Sequence, residues 1–223
     1  MTTRERLVRA AMARFAEHGY HNVSVRDICR EARANVAAVN YYFGGKLGLY
    51  REVVGAAIDA IRSASDRMLF AAEDRPPVER LRHYVNAYVR TIAGNDHRLD
   101  PARAAWVHQL MAHEGTEPTP LAPWIAEQAL MPRIRYLGAL VAELMHGRPS
   151  DRRVHRCVIS IQSQCLFYAA PNKFRDSAFP GWPPTPKELA AAADHIVEFS
   201  LAGIRQAAGR GERATRSRKR PPR

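Results

Sequence analysis

Apolar residues recur at three- and four-residue intervals in segment after segment of this chain, and that spacing restricts it to helices. It contains no Asn-Gly or Asp-Gly hairpin signal and no sustained apolar/polar alternation. The first segment, Thr3 to about His18, puts Leu7, Val8, Ala11, Met12 and Phe15 on one side, with Gly19 as its stop. Ser24 is an N-cap candidate for a short helix, Val25 to about Ala32, and Asp27 gives it a near capping box. Asn35 caps a second short helix, Val36 to Tyr42, which Gly44-Gly45 ends, and a longer helix starts near Lys46. Further helices are expected from Val78 to about Ala93 and from an Asp100-Pro101 cap to about His113. Glu114 to Pro120 reads as a loop. Leu121 to His146 reads as a long helix with a kink or break at Pro132. Ser150 caps a helix to about Ala170, and Asn172 to Pro184 is irregular. Thr185 and Glu188 form a full capping box for the last helix, which runs to about Ala208. The expected fold is therefore all-α, with about nine helices.

The 34 Lys+Arg against 22 Asp+Glu leave a formal charge of +12 on 223 residues. At this size about 70% of the unfolded surface can be buried, enough for one or two small domains without staples. The longest uncharged stretch, Cys157 to Asn172, has 16 residues and holds several polar ones, too short and polar for a membrane span. The N-terminus carries charges where a secretion signal needs apolar residues. The three cysteines, Cys29, Cys157 and Cys165, lack C-x-x-C spacing, so neither a disulfide framework nor a cysteine zinc site is expected. These features fit a soluble, cytoplasmic protein with an anionic partner and no membrane association. The excess charge is uneven: +4 in residues 1–63, +1 in 64–204 and +7 in 205–223. Arg outnumbers Lys 30 to 4, a ratio that a GC-rich coding sequence explains.

Two short capped helices across a tight turn, within residues 24–43, have the arrangement of a helix-turn-helix, whose second helix enters the DNA major groove. The second helix, VAAVNYYF, has no charge. Its small residues permit close approach, and Asn40, Tyr41 and Tyr42 can hydrogen-bond base edges. Lys46, at the start of the next helix, can hold a phosphate. The same pattern also suits a stubby core helix with two packed tyrosines.

The stretch SVRDICREARANVAAVNYYFGGKLGLYREV closely resembles the DNA-binding region of TetR/AcrR-family transcriptional regulators, most of all the CecR-like branch. The resemblance is specific over about residues 5–60 and softer over 78–205. It implies a helix-turn-helix DNA-binding domain at 1–45, a connecting helix at 46–63 and a helical regulatory and dimerisation domain at 64–208. Residues 209–223 remain as a basic tail, expected to be disordered for want of apolar residues. The resemblance further implies a homodimer built mainly on the last two helices and a palindromic double-stranded operator. Carried over position by position, Asn35, Ala37, Ala38, Asn40 and Tyr41 face DNA, Lys46 binds phosphate and Ser24 caps the preceding helix near phosphate. Phe43 is a packing position. Three positions depart from the family pattern: Arg33 replaces a turn glycine, Ala34 a larger aliphatic and Leu47 an acidic residue. A strained or reshaped turn at Arg33 is one consequence, a phosphate contact by Arg33 another.

In the C-terminal portion Tyr84, Tyr88, Trp106, Met111, Trp124, Phe167 and Tyr168, with the polar His108, Gln109 and Gln164, suit either the lining of an effector cavity or an ordinary core. The expected effector is a small apolar or aromatic molecule with few polar groups. Val158, Ile161 and Cys165 on one of the last two helices, and Leu189, Ala193, Ile196, Val197, Ser200 and Ile204 on the other, have the pattern of a dimer interface or of an intramolecular core.

No nucleophile elbow, phosphate loop or dinucleotide fingerprint is present, and His108 and His113 lie about 140° apart on a helix. The chain is therefore expected to be no enzyme and to need no cofactor and no metal. Two functions follow. The first is a homodimeric repressor released from its operator by a small molecule. The alternative is a ligandless protein that coats DNA through its basic tail.

Overall fold

The computed structural model describes residues 1–70, 72–94, 101–170, 172–179, 181–182 and 184–218, and among them the backbone forms helices and no strand. In chain order these are α1 (Thr3–Asn22), α2 (Val25–Ala32), α3 (Val36–Phe43), α4 (Lys46–Phe70), α5 (Pro77–Ile92), α6 (Pro101–Thr116), α7 (Ala122–Ile125), α8 (Met131–Leu144), α9 (Arg152–Ala169), α10 (Lys173–Ala178) and α11 (Pro186–Arg218). A π-helical turn, Ala126–Leu130, joins α7 to α8. The expected Asp100 cap lies outside the described residues.

Side-chain caps set most of the helix starts. Thr2 and Glu5 exchange both hydrogen bonds of a capping box at α1. Thr185 and Glu188 do the same at α11. At α9 the cap is Asp151 rather than Ser150. Its carboxylate accepts from the Arg153 backbone N–H at 2.8 Å, and hydrogen bonds from the Arg153 side chain hold it at about 2, well below the usual range. A carboxylate that serves a free helix amide and a guanidinium at once outcompetes a neighbouring hydroxyl. Pro132 has no N–H to give, and the chain answers with the π-helical turn just before it, where Met131 N–H reaches back to Ala126 O. Gly19 breaks α1 at φ 76° near the expected stop, but helical residues resume as far as Asn22.

The helices group into two compact units. The first comprises Met1–Ala64 and His97–Met131, the second Ser65–Asp96 and Pro132–Arg223. The expected linear division assigned everything from 64 to 208 to one regulatory domain, whereas α6 and α7 pack with α1 to α4. The reason is apolar. Leu110 and Ile125 are buried in the same cluster as Leu7, Phe15, Ile28, Leu49 and Val53, with Trp106 and Trp124 against it. Two hydrogen bonds add to this: the Trp106 indole N–H donates to Met12 O at 3.0 Å, and His113 Nε2 to Ala16 O at 3.1 Å.

Glu114, expected in a loop, is the buried polar centre of this unit. Its Oε1 accepts from the Tyr50 hydroxyl at 2.6 Å and from Thr119 Oγ1 at 2.7 Å, and its Oε2 from Thr119 N at 3.2 Å. Burial, and then the bond to Glu114, push the Tyr50 hydroxyl far above its ordinary pKa, so it stays a donor. In the second unit α5, α9 and α11 bury Leu81, Val85, Ile161, Cys165, Ile196 and Val197 in one cluster, with Leu137 and Val141 of α8. α11 continues past the expected end at Ala208 to Arg218, so this stretch of the presumed tail is helical. Ala, Arg and Glu supply enough helix propensity there, and no proline occurs before Pro221.

Tyr50→Phe leaves the buried Glu114 carboxylate one donor short and is expected to cost about 1–3 kcal/mol, read as a lower urea midpoint with unchanged slope.

Candidate nucleic-acid interface and effector site

α2 and α3 are too short to be stable alone, and their ends show how the turn between them is held. Ser24 Oγ accepts from Asp27 N at 3.1 Å and donates to the Asp27 carboxylate, which lowers that carboxyl's pKa. α2 ends at Arg33 with φ 49° and ψ 53°, a left-handed residue. Arg33 N bonds Arg30 O and Ala34 N bonds Cys29 O at 2.9 Å, the paired bonds of a Schellman ending. The missing glycine therefore leaves the turn geometry in place, and an arginine carries the unfavourable conformation. Asn35 then caps α3, its side chain accepting from Ala37 N at 3.0 Å, and Gly44 closes it at φ 70°.

Val39 is the one buried residue of α3. Ala38 and Phe43 are half-buried against the core of the first unit. Asn35, Ala37, Asn40, Tyr41 and Tyr42 are exposed, Tyr41 to 83%, and its ring meets that of Tyr42 edge-on at 4.9 Å. Arg33 and Ser24 are exposed beside them. Val36, also exposed, is an apolar member of this face that the sequence reading passed over. The next helix starts so close behind that a Cβ on Gly48 would lie 1.8 Å from Phe43 O, which only glycine permits. Lys46 opens that helix with its ammonium 4.3 Å from the Tyr20 ring centroid, and partial burial lowers its pKa. The arrangement offers an uncharged, exposed helix for base edges, flanked by Arg33 and Lys46 for phosphates.

The residues expected to line an effector cavity are divided between the two units. Trp106, Met111 and Trp124 flank the core of the first unit, with the Arg51 guanidinium over the Trp124 ring at 5.1 Å. His108 and Gln109 are exposed. Tyr84 and Tyr88 are buried in the second unit, their rings 5.9 Å apart. Gln164 is half-buried and its amide turns back to Ser160 O, whereas Gln162 is buried and donates to the Tyr84 hydroxyl. Two residues along a helix is 200° of rotation, so only one of this pair can face the core. Phe167 and Tyr168 gather with Trp182, which also lies under the buried Arg175 guanidinium. The sequence reading also missed Arg133, 4.4 Å over the Tyr88 ring, because one arginine among thirty carries no signal. A groove of about 420 Å³ runs along α5, lined by Arg75, Glu79, Arg82, His83, Asn86, Ala87 and Arg90.

The nine residues read as a dimer interface are buried inside the single chain: Val158, Ile161, Cys165, Leu189, Ala193, Ile196, Val197, Ser200 and Ile204 form the packing of α9 and α11 against α5. Among the described residues, the large apolar side chains left outside on those two helices are Ile159, Leu166, Phe167 and Phe199. A helix has one face for its own core, and the most regularly apolar face went there.

No helix among the described residues is long and apolar enough to cross a membrane, and they hold no group of three or more His, Cys, Asp or Glu able to bind a metal ion.

Residues 7–53 match the tetR family of bacterial regulatory proteins, and residues 77–204 match the C-terminal domain of the HTH-type transcriptional dual regulator CecR. The chain is similar to CecR of Shigella flexneri, 25% identical over 158 residues, 68% of each chain. It is 37% identical to the probable HTH-type transcriptional regulator YttP of Bacillus subtilis over 54 residues, 24% of this chain, and spans only 26% of that relative. Among solved structures, AibR in complex with isovaleryl coenzyme A and operator DNA shares the fold with a TM-score of 0.56 at 15% identity, over 89% of this chain and 97% of AibR. The matched families and relatives are regulators, not enzymes.

Arg33→Gly removes the left-handed penalty and is expected to stabilise the protein by about 1 kcal/mol, measured as a higher urea midpoint with an unchanged helical spectrum.

Proposed function

This chain belongs to the TetR family of bacterial regulators, and from that premise we propose that it is a homodimeric, cytoplasmic transcriptional repressor released from a palindromic operator by a small-molecule effector. The observation that carries the reading is α3. It is a capped helix with a single buried residue, no charge, and Asn35, Ala37, Asn40 and Tyr41 turned outward. An ordinary solvated helix exposes Lys and Glu instead. Seated in a major groove, α3 would read base edges, with Arg33, Lys46 and the α2 cap at Ser24 holding phosphates. The exposed Ile159, Leu166 and Phe199 of α9 and α11 support a subunit interface on those helices. Such a dimer presents two copies of α3 to half-sites about 34 Å apart, or a multiple of that. The effector must bind the conformation with the wrong separation better than the right one, since equal affinity shifts nothing.

Footprinting of the purified protein on the DNA upstream of its own gene is expected to show a protected near-palindrome; no protection there removes the repressor reading. Tyr41→Ala should weaken operator binding by about 1–3 kcal/mol and relax base preference. Lys46→Ala should weaken binding to all sequences alike and reduce the salt slope by about 1. Phe199→Asp combined with Ile159→Glu is expected to give a folded monomer in sedimentation that no longer protects the operator.

A further inference from the structure

Four other arginines of the second unit face a carboxylate: Arg80 meets Glu143 at 3.0 Å, Arg82 meets Asp194 and Glu198, Arg153 meets Asp151, and Arg175 meets Asp176. Arg133, in the first turn of α8, has no acid within ion-pair distance among the described residues. Its Nε is buried and makes no hydrogen bond. What it has is the face of the Tyr88 ring, 4.4 Å from the guanidinium carbon. Arg133 is half-buried; a ring face stabilises its cation only in part, and a buried Nε–H without an acceptor is costly to keep.

The groups around Arg133 are hydrogen-bond donors. Gln162 donates to the Tyr84 oxygen, which leaves the Tyr84 proton unspent. The Tyr88 hydroxyl makes no hydrogen bond among the described residues. Burial raises the pKa of both phenols despite the nearby Arg133 charge, so both keep their protons at neutral pH. Tyr136, also on α8, stacks on Tyr84 at 6.1 Å with 20° between the ring planes. One guanidinium and two phenolic protons in an aromatic wall form a receptor for a single negative charge on an apolar body.

We propose that Arg133, with the Tyr84 and Tyr88 hydroxyls, receives the carboxylate of an organic-acid effector whose apolar body lies against the aromatic rings of α5 and α8. This rests on the effector-released reading above and names the effector's chemical class. The body keeps the apolar or aromatic character expected from the sequence; the carboxylate is new.

The test uses the full chain at constant ionic strength, with calorimetric titration and thermal unfolding. The probes are benzoate, phenylacetate and octanoate, each against its own amide. At least one acid is expected to raise the unfolding midpoint and to bind about tenfold more tightly than its amide. Arg133→Met should erase that preference, and Tyr88→Phe should reduce it severalfold. Without ligand, Arg133→Met should leave the midpoint unchanged or raised, because it removes a guanidinium with no acid partner and a buried Nε–H with no acceptor. Acids and amides acting alike, no response to any acid in the millimolar range, or a lowered midpoint of unliganded Arg133→Met would each overturn the proposal. Footprinting without added ligand, run on wild type and Arg133→Met, keeps the two readings apart. Lost protection in wild type breaks the regulator reading, whereas intact protection without acid–amide discrimination breaks only the carboxylate site.

Discussion

The first unit depends on one constraint: α3 is eight residues long and cannot hold itself together. An isolated helix of that length melts in water, so the geometry of its exposed side chains is borrowed from what it packs on. Val39 is its only fully buried anchor. The floor beneath the unit is an aromatic nucleus in which Phe15 meets Tyr50 edge-on at 4.9 Å and Tyr20 leans on Tyr50 at 4.8 Å. Arg6 of α1 donates to Ala32 O at 3.0 Å and so pins the end of α2, just before the turn. Asn35 and Gly44 close α3 at its two ends. A loss of packing anywhere in that floor is therefore a loss of defined geometry at the exposed Asn40 and Tyr41.

Local signals were the legible ones. Ser24, Asn35 and the Thr185–Glu188 box act through bonds two or three residues long, so their spacing alone identifies them. The resemblance over residues 5–60 then supplied the helix-turn-helix, and the matched families agree with it. What escaped was everything decided by the choice of helix face or by distant packing. Ser150 was the expected cap of α9, but Asp151, a residue of the same capping type one place on, takes the position through its contact with Arg153. Gln162 and Gln164 both read as polar residues in an apolar run, yet they point opposite ways. The same ambiguity sent the interface prediction onto the buried stripe of α9 and α11, because an apolar stripe does not say whether the chain itself or another copy covers it. The grouping of α6 with the first unit rests on contacts such as Trp106 to Met12, 94 residues apart, which no local pattern announces.

The charge of +12 looks like a single statement about an anionic partner, but its parts do different work. The helix with the strongest claim to read DNA contributes nothing to it. In the first 63 residues three of the ten basic side chains are tied to carboxylates: Arg4 to Glu52 at 2.6 Å, Arg14 to Glu31 at 2.6 Å and Arg30 to Asp27 at 3.2 Å. These exposed pairs add little stability each, but they neutralise positive charge that would otherwise attract DNA in any orientation. Arg33 and Lys46, at the two ends of α3, make no ion pair among the described residues. Specificity is served when the cations nearest the helix are few and placed.

Each unit also holds one polar centre that bears on this division, Glu114, which is buried, and Arg133, which is half-buried with its Nε out of water, and the two are treated differently. Glu114 in the first unit receives three neutral donors, from the Tyr50 hydroxyl and from the hydroxyl and amide of Thr119. A carboxylate with that many bonds needs no cation and locks α4 to the end of α6 in one arrangement. Arg133 in the second unit receives a ring face and no acceptor, while the phenols beside it have protons to give. The first is a satisfied network, which resists change. The second is unsatisfied in one direction, because its unpaired groups, the Arg133 Nε–H and the phenolic protons, are donors that lack an acceptor. On the proposal made above, the first centre holds geometry and the second responds to an acid that reaches it. The bonds around these two side chains thus leave a satisfied carboxylate in one unit and an unanswered donor in the other.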